Sequence, residues 1–197
     1  MQKVKIEKAV SIVRNLAVSR AFRLYWVLVL MLTLLDLSSF LIPSKVFHLA
    51  LESHSEKAGQ LRNHGVPVSE NFTIVNVLHT HANVRYLAAD EILRFAITLS
   101  MGVMFVYLYD RKSRWSYSVL RIAWVAIGST AFSQGVAFLL FGGVVDWLHV
   151  RTSGTRGLSL AFSDMVHIAG ECVLVIGLLM LLASAGMRLI KRQWRTA

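Results

Sequence analysis

Two aspartates in the segment 142–170, GGVVDWLHVRTSGTRGLSLAFSDMVHIAG, are the residues best placed to do chemistry. Asp146 and Asp164 stand at the two ends of a short polar stretch, and each borders a long apolar run. A carboxylate beside hydrocarbon loses favourable hydration, so an acid in such a place is first considered functional. Two carboxyl groups that meet in a partly dehydrated site share a proton, and the pair can act as general acid and general base. The two aspartates therefore predict an acid–base site, provided that the fold brings them together.

Each aspartate is also followed three residues later by a histidine, His149 in the first case and His167 in the second. If both segments are helical, each acid shares a helix face with its imidazole, and Glu171 joins the second face one turn further on. Carboxylate and imidazole groups from facing helices are the ligands of transition-metal sites in helical bundles. A metal site therefore stays open as an alternative to proton-transfer chemistry.

Ordinary structural roles would account for the same side chains differently. We expect His149 to be an interfacial residue with its polar tip in water, and His167 to form a hydrogen bond with Asp164. Glu171 would be buried in the apolar run that follows, bonded to polar side chains of a neighbouring helix. An arginine of the intervening loop could neutralise one of the two aspartates.

The composition shows that these residues belong to a membrane protein. Of the 197 residues 55% are apolar and only 16% are charged, whereas soluble domains have about 25% charged residues. Four apolar runs reach the length of about 20 residues that a membrane-spanning helix needs. These runs are residues 24–42, 92–109, 119–141 and 164–187. We predict an all-α integral membrane protein that forms a single domain over residues 1–197, with Asp90, Glu91 and Arg94 as an exposed charged cap on the second helix.

The distribution of basic residues predicts the orientation of the chain. The first 23 residues, residues 111–121 and the C-terminal tail hold 14 of the 21 Lys and Arg residues. With four spans all of them lie on one side, and the positive-inside rule places both termini in the cytoplasm. The formal net charge of +10 is explained by this topology and by anionic lipid headgroups, so we expect the bilayer and not nucleic acid as the partner. Residues 1–23 have the pattern of an amphipathic arm.

Two segments then face outwards, residues 43–91 and the loop at about 142–163. Within the first, the run FTIVNVLHTH at 72–81 alternates in the manner of a β-strand and ends in His79 and His81. We therefore predict a small extracytoplasmic cap that contains some β structure.

Several of these motifs resemble those of lipoprotein signal peptidase, the bacterial signal peptidase II family. The stretch V-V-D-W at 144–147 is similar to the V-V-D-F motif that ends the family's third span, and A-F-S-D-M at 161–165 is similar to the F-N-x-A-D-S motif that begins the fourth. The stretch L-L-D-L-S-S places Asp36 at the position of the family's first-helix aspartate. The length, four spans, inward termini and outer cap agree with the family along the whole chain.

The resemblance implies an intramembrane aspartic endopeptidase in which Asp146 and Asp164 form the catalytic dyad. Such an enzyme needs no cofactor or metal ion, and its partner is a membrane-anchored signal-like peptide or prolipoprotein. The residues expected to bind substrate or support the dyad are Asp36, His79, His81, Gln134, His149 and His167. Departures from the family pattern fall on this second set: histidines stand in the strand motif, Gln134 lies where the family has G-N-x-x-D-R, and Ala161 replaces the asparagine of F-N-x-A-D-S.

Three other classes of function stay open on the sequence. The Asp-x-x-His pairs also fit a metal-dependent membrane enzyme, or a haem or metal carrier. A non-catalytic subunit of a larger membrane assembly is the third.

Overall fold

The protein is described by a computed structural model that covers residues 15, 18–49, 52–54, 65–80, 84–109, 115–151 and 157–196. Within these ranges the chain is mostly helical and carries a small sheet. Four of the described helices are long and apolar enough to cross a membrane. The predicted fold class is therefore confirmed. The predicted N-terminal arm and His81 lie largely or wholly outside the described residues.

Three of the four long helices contain the predicted apolar run and extend beyond it. They are α1 (Arg20–Ser39), α2 (Val84–Tyr109), α3 (Trp115–Phe141) and α4 (Phe162–Thr196). A run of apolar residues marks only the part of a helix inside the hydrocarbon, and helices continue into the hydrated headgroup region. The first run is the exception, because α1 ends at Ser39 and a π-helical turn, Ile42–Val46, follows. Proline at position 43 lacks the N–H that a regular α-helix would use there.

The outward faces of the helices are apolar. Leu34 of α1, Ile122 of α3 and Leu182 of α4 are each more than 60% exposed, and α3 packs against all three of the other helices. An aqueous protein would not display so many large apolar side chains on one surface. The bundle is therefore built for a lipid solvent, in which helices satisfy their own backbone hydrogen bonds.

Close packing of α1, α2 and α3 depends on the fully buried Tyr25. Its hydroxyl donates a hydrogen bond of 2.7 Å to the Thr98 carbonyl oxygen. The Thr98 hydroxyl in turn donates to the Gly128 carbonyl oxygen at 3.2 Å. A Cβ at position 128 would overlap the Tyr25 hydroxyl. Glycine is thus required where the ring of α1 crosses the backbone of α3, as at other close helix crossings in membranes.

The sheet joins the cap to the segment that follows α3. Its strands are β1 (Glu52–His54), β2 (Val66–Pro67), β3 (Phe72–Thr80), β4 (Gly143–Arg151) and β5 (Gly157–Leu160). The order is β1-β3-β4-β5, and β2 also pairs with β3. β3 confirms the strand expected at 72–81, and its antiparallel neighbour is β4.

The polar stretch between the third and fourth helices is a β-hairpin and not the loop expected from the sequence. Gly142 takes a φ of 71° and donates its N–H to the Phe138 carbonyl oxygen at 2.9 Å, which ends α3. Glycine is the residue that adopts this left-handed conformation without steric cost. The chain then leaves the helix as β4, so Asp146 lies in a strand.

The Tyr25 crossing generates the first prediction. We expect Gly128→Ala to destabilise the protein by about 1–3 kcal/mol, because the added methyl group must displace a buried ring and its hydrogen bond. Gly186→Ala is the matched control, since a Cβ at position 186 meets no atom within 4 Å. Thermal unfolding in detergent measures both, and equal unfolding temperatures would contradict the packing described here.

Candidate functional site

Asp36 joins three helices at the end of α1. The residue is only 2% exposed. Its Oδ2 accepts a hydrogen bond from the Ser133 hydroxyl of α3, and its Oδ1 accepts one from the Ser163 backbone N–H of α4 at 2.7 Å. The first N–H groups of a helix have no partner within the helix and carry the positive end of its dipole. A buried carboxylate is therefore a suitable acceptor for the start of α4.

Asp164 caps the same helix from within its first turn. Its Oδ2 accepts a hydrogen bond from the Ala161 backbone N–H at 2.8 Å. Ala161 directly precedes α4, so this contact has the geometry of the returning half of a capping box. The other oxygen, Oδ1, accepts a hydrogen bond of 3.1 Å from Gln134 Nε2. Asp36 and Asp164 are close enough to interact electrostatically.

Gln134 links Asp164 to a charged pair on α2. Its Oε1 accepts a hydrogen bond from Arg94 Nη1, and Arg94 Nε lies 3.7 Å from Glu91 Oε1. The Arg94 guanidinium also lies over the Phe138 ring, 5.4 Å from the centroid. Glu91 is buried, so the expectation of an exposed charged cap at this end of α2 is wrong. The sequence signal for the Glu91–Arg94 pair was the spacing of three residues, which places an acid and an arginine on one helix face.

Asp146 lies in the middle of β4, where it is 8% exposed and paired with Val77 of β3. On its other side, β4 pairs with β5, and the register includes Leu148 opposite Leu160. Continuing this antiparallel register by two residues sets Asp146 level with residue 162, the first residue of α4. The packing agrees, because Val145 and Ala161 belong to one buried apolar cluster. The backbone of β4 at Val145 and Asp146 therefore lies near the start of α4, the helix that carries Asp164 in its first turn.

The expectation that Asp146 and His149 share a face is wrong. Successive side chains of a strand point to opposite faces, so residues three apart do not lie together. His149 is 8% exposed, and its Nδ1 lies 3.0 Å from the Ser159 hydroxyl, which belongs to the opposite strand of the hairpin. It is therefore a buried residue of the hairpin and not an interfacial side chain.

The second histidine pair differs from expectation as well. His167 Nε2 lies 3.2 Å from Glu171 Oε1, and these side chains are 42% and 60% exposed. His167 is thus paired along the outer surface of α4, and Glu171 is not buried. Across the described ranges, no three His, Cys, Asp or Glu side chains are grouped in a way that could hold a metal ion. The metal and haem alternatives depend on an aspartate and a histidine that share one helix face. Asp146 and His149 lie in a strand, so this pair does not have that geometry.

Of the residues predicted to support the dyad, Asp36 and Gln134 lie in the polar network around Asp164. His79 lies in β3, in register with Val144. His149 and His167 have the separate partners given above.

A small cavity lies beside Asp36. Its volume is about 10 Å³, which is close to the space that one water molecule needs. Polar and apolar groups of α1, α3 and α4 line it: Leu32, Asp36, Ser129, Thr130, Ser133, Phe162, Ser163 and Val166. The network around the start of α4 therefore contains room for a water molecule within the membrane-spanning part of the chain.

The sequence matches no family model and no curated protein at a significant level. Two solved structures are similar in fold, and each is described as a bacterial membrane enzyme structure obtained by the in meso method. The first, at 2.3 Å resolution, has a TM-score of 0.56 and 14% sequence identity over 79% of this chain and 87% of its own. The second, at 1.9 Å, has a TM-score of 0.54 and 15% identity over 79% of this chain and 92% of its own. At these identities the similarity concerns the fold.

The Asp36 network generates the second prediction. We expect Ser133→Ala to destabilise the protein by about 1–3 kcal/mol, because a buried carboxylate loses one of its hydrogen-bond donors. Ser100→Ala is the matched control, since the exposed Ser100 hydroxyl donates only to the Ala96 carbonyl oxygen of its own helix. Chemical unfolding in detergent measures the difference. Equal stability of the two variants would rule out a stabilising role for the Ser133 contact.

Proposed function

We propose that this protein is an intramembrane aspartic endopeptidase related to signal peptidase II. In this proposal Asp146 and Asp164 form the catalytic dyad. The observation that supports it best is the antiparallel pairing of β4, the strand that contains Asp146, with β5, because β5 runs almost directly into α4, where Asp164 occupies the first turn. The motifs V-V-D-W and A-F-S-D-M, which carry the family resemblance, are the segments that contain these two residues.

The chemistry follows from the two carboxyl groups sharing a proton. The ionised member removes a proton from water, and the resulting hydroxide attacks the carbonyl carbon of the scissile peptide bond. The protonated member donates a hydrogen bond to the carbonyl oxygen and later transfers a proton to the leaving amine. Restricted access of water at the membrane boundary strengthens these interactions. The reaction needs no cofactor.

Asp36 has a positioning role in this proposal. Both of its oxygens accept hydrogen bonds from the protein, and the residue is almost wholly buried. Its burial leaves almost no surface to a substrate, whereas Asp164, which also accepts two hydrogen bonds, is only partly buried. Through Ser163 it holds the residue next to Asp164, and errors of about 1 Å in the placement of a reacting group can cost about 10²-fold in rate.

Gln134 has a related role on the other side of Asp164. Its amide is held between Arg94 and Asp164, so it donates to the carboxylate in one fixed orientation. Glu91 in turn holds Arg94. The signal peptidase II family carries other polar residues in its third helix. In this chain Gln134 stands there, and its hydrogen bond from Arg94 reaches across to α2.

The substrate in this proposal is a membrane-tethered signal-like peptide or a prolipoprotein. A substrate that is itself a membrane-spanning segment can arrive laterally through lipid and present its outer end to the dyad. The sheet, with β3 and its residue His79, would lie over the bound peptide. The protein would reside in a bacterial inner membrane with both termini in the cytoplasm, as the distribution of Lys and Arg indicates. The two similar structures, both bacterial membrane enzymes, are consistent with this setting.

Isosteric substitution of the dyad tests the proposed activity directly. We expect Asp146→Asn and Asp164→Asn each to lower cleavage of a prolipoprotein by about 10²–10⁴-fold, the usual contribution of a general acid or base. Glu70→Gln is the matched control, because Glu70 is an exposed carboxylate of the cap. The assay is cleavage of the substrate in detergent micelles by the purified variants, with folding checked by thermal unfolding. Undiminished cleavage by either folded dyad variant would exclude the dyad.

A pair of substitutions at Asp36 separates positioning from catalysis. Asparagine retains an oxygen that can accept the Ser163 N–H, so we expect Asp36→Asn to keep most of the activity. Alanine removes this acceptor, and Asp36→Ala should lower kcat by about tenfold or more, with a smaller change in KM. If Asp36→Asn is as inactive as Asp164→Asn while Asp146→Asn stays active, Asp36 and not Asp146 is the partner of Asp164 in proton transfer.

A further inference from the structure

A second cavity extends from the middle of the bundle towards the end opposite the acidic residues. It is an apolar groove of about 450 Å³, within the range of about 300–1,000 Å³ that small-molecule sites occupy. Its lining comes from the first half of α1, the end of α2 and the first half of α3. The lining residues are Leu24, Leu28, Leu32, Phe105, Tyr109, Ser118, Arg121, Ile122, Val125 and Ala126. The groove therefore opens near the end of the bundle where α2 connects to α3.

One charged side chain lies among these lining residues. Arg121 donates a hydrogen bond from Nη2 to the Ser118 hydroxyl at 2.8 Å. Its guanidinium also lies 5.5 Å from the centroid of the Tyr109 ring. None of the residues that line the groove is acidic. A positive group is thus held at one end of a long apolar surface.

We propose that this groove binds an anionic phospholipid from the adjacent leaflet. An acyl chain would lie along Leu24, Leu28 and Ile122, in place of the mobile bulk lipid that would otherwise contact these side chains. The phosphate would take the Arg121 guanidinium, which presents paired N–H groups to phosphate oxygens, and the Ser118 hydroxyl.

The sequence around the groove favours an anionic headgroup over a neutral one. In sequence, the connection between α2 and α3 carries Arg111, Lys112 and Arg114 beside the single acid Asp110, which leaves a net positive charge. Basic residues close to a membrane helix attract anionic lipids, each by about 1 kcal/mol. The other end of the groove reaches Leu32, which also lines the cavity beside Asp36. A bound lipid would therefore fill the space beneath the acidic site without contacting the acids.

Lipid binding by the purified full-length protein tests the headgroup contact. Native mass spectrometry from detergent, with phosphatidylglycerol and phosphatidylcholine of identical acyl chains, gives the affinity for each lipid. We expect the protein to prefer phosphatidylglycerol, and Arg121→Gln to weaken that binding by about fivefold, the value of one charge near the surface. Arg188→Gln is the matched control, because the exposed Arg188 lies near the end of α4 and bonds to Ser184 of its own helix. No preference in the unmodified protein, or equal losses in the two variants, would overturn the proposal.

Filling the groove tests the acyl-chain contact. Ile122 and Leu139 are 62% and 67% exposed on the same helix, but only Ile122 lines the groove. We expect Ile122→Trp to weaken binding of both lipids and Leu139→Trp to leave it unchanged. Glycerol 3-phosphate, which has the phosphate but no chain, should bind far more weakly than the lipid. Equal behaviour of the two tryptophan variants, or tight binding of glycerol 3-phosphate, would contradict a groove occupied by lipid.

Discussion

The start of α4 must be provided with hydrogen-bond acceptors in a place where water is scarce, and the surrounding structure follows from this requirement. The first N–H groups of a helix have no partners of their own, and each one left unpaired in an apolar setting costs several kcal/mol. Asp36 accepts from the Ser163 N–H, and Asp164 accepts from the Ala161 N–H. The carboxylates of Asp36 and Asp164 are thus held at the membrane boundary because they cap the start of α4. Because Ser133 and Gln134 of α3 donate to the same two acids, capping also sets the relative positions of α1, α3 and α4.

The polar network extends further from the acids than capping alone requires. Gln134 also accepts a hydrogen bond from Arg94, which lies against Glu91 and over the Phe138 ring. A charged pair buried between helices stabilises a fold little, because the loss of hydration offsets most of the attraction between the charges. Such a pair is more readily understood as a device that holds Gln134, and through it Asp164, in one geometry. Such placement would serve the proton transfer that we propose for Asp164.

Some elements were predictable because their signals are local. A membrane-spanning helix is specified by about 20 consecutive apolar residues, and each of the four described spans coincides with such a run. β3 was predictable from its residue types, because Thr73, Ile74, Val75 and Val77 are β-branched, although Ile74 to Val77 are all buried. The β4–β5 hairpin was not, because the periodicity of a short apolar run directly after a helix does not distinguish a buried strand from more helix. The burial of Glu91 was also hidden, since an acid near a helix start is usually explained as an exposed cap.

The sequence by itself determined the lipid-facing surfaces, the number of described spans and the identity of the acids that stand at their ends, because hydropathy and chain position are properties of single segments. Only the tertiary structure decided which polar groups meet. His149 bonds to the opposite strand of its hairpin, His167 pairs with Glu171 on an outer surface, and Gln134 joins Asp164 to Arg94 across three helices. Hydrogen bonds act over about 3 Å, so partners distant in sequence become partners only when helix packing and strand register have placed them within that reach.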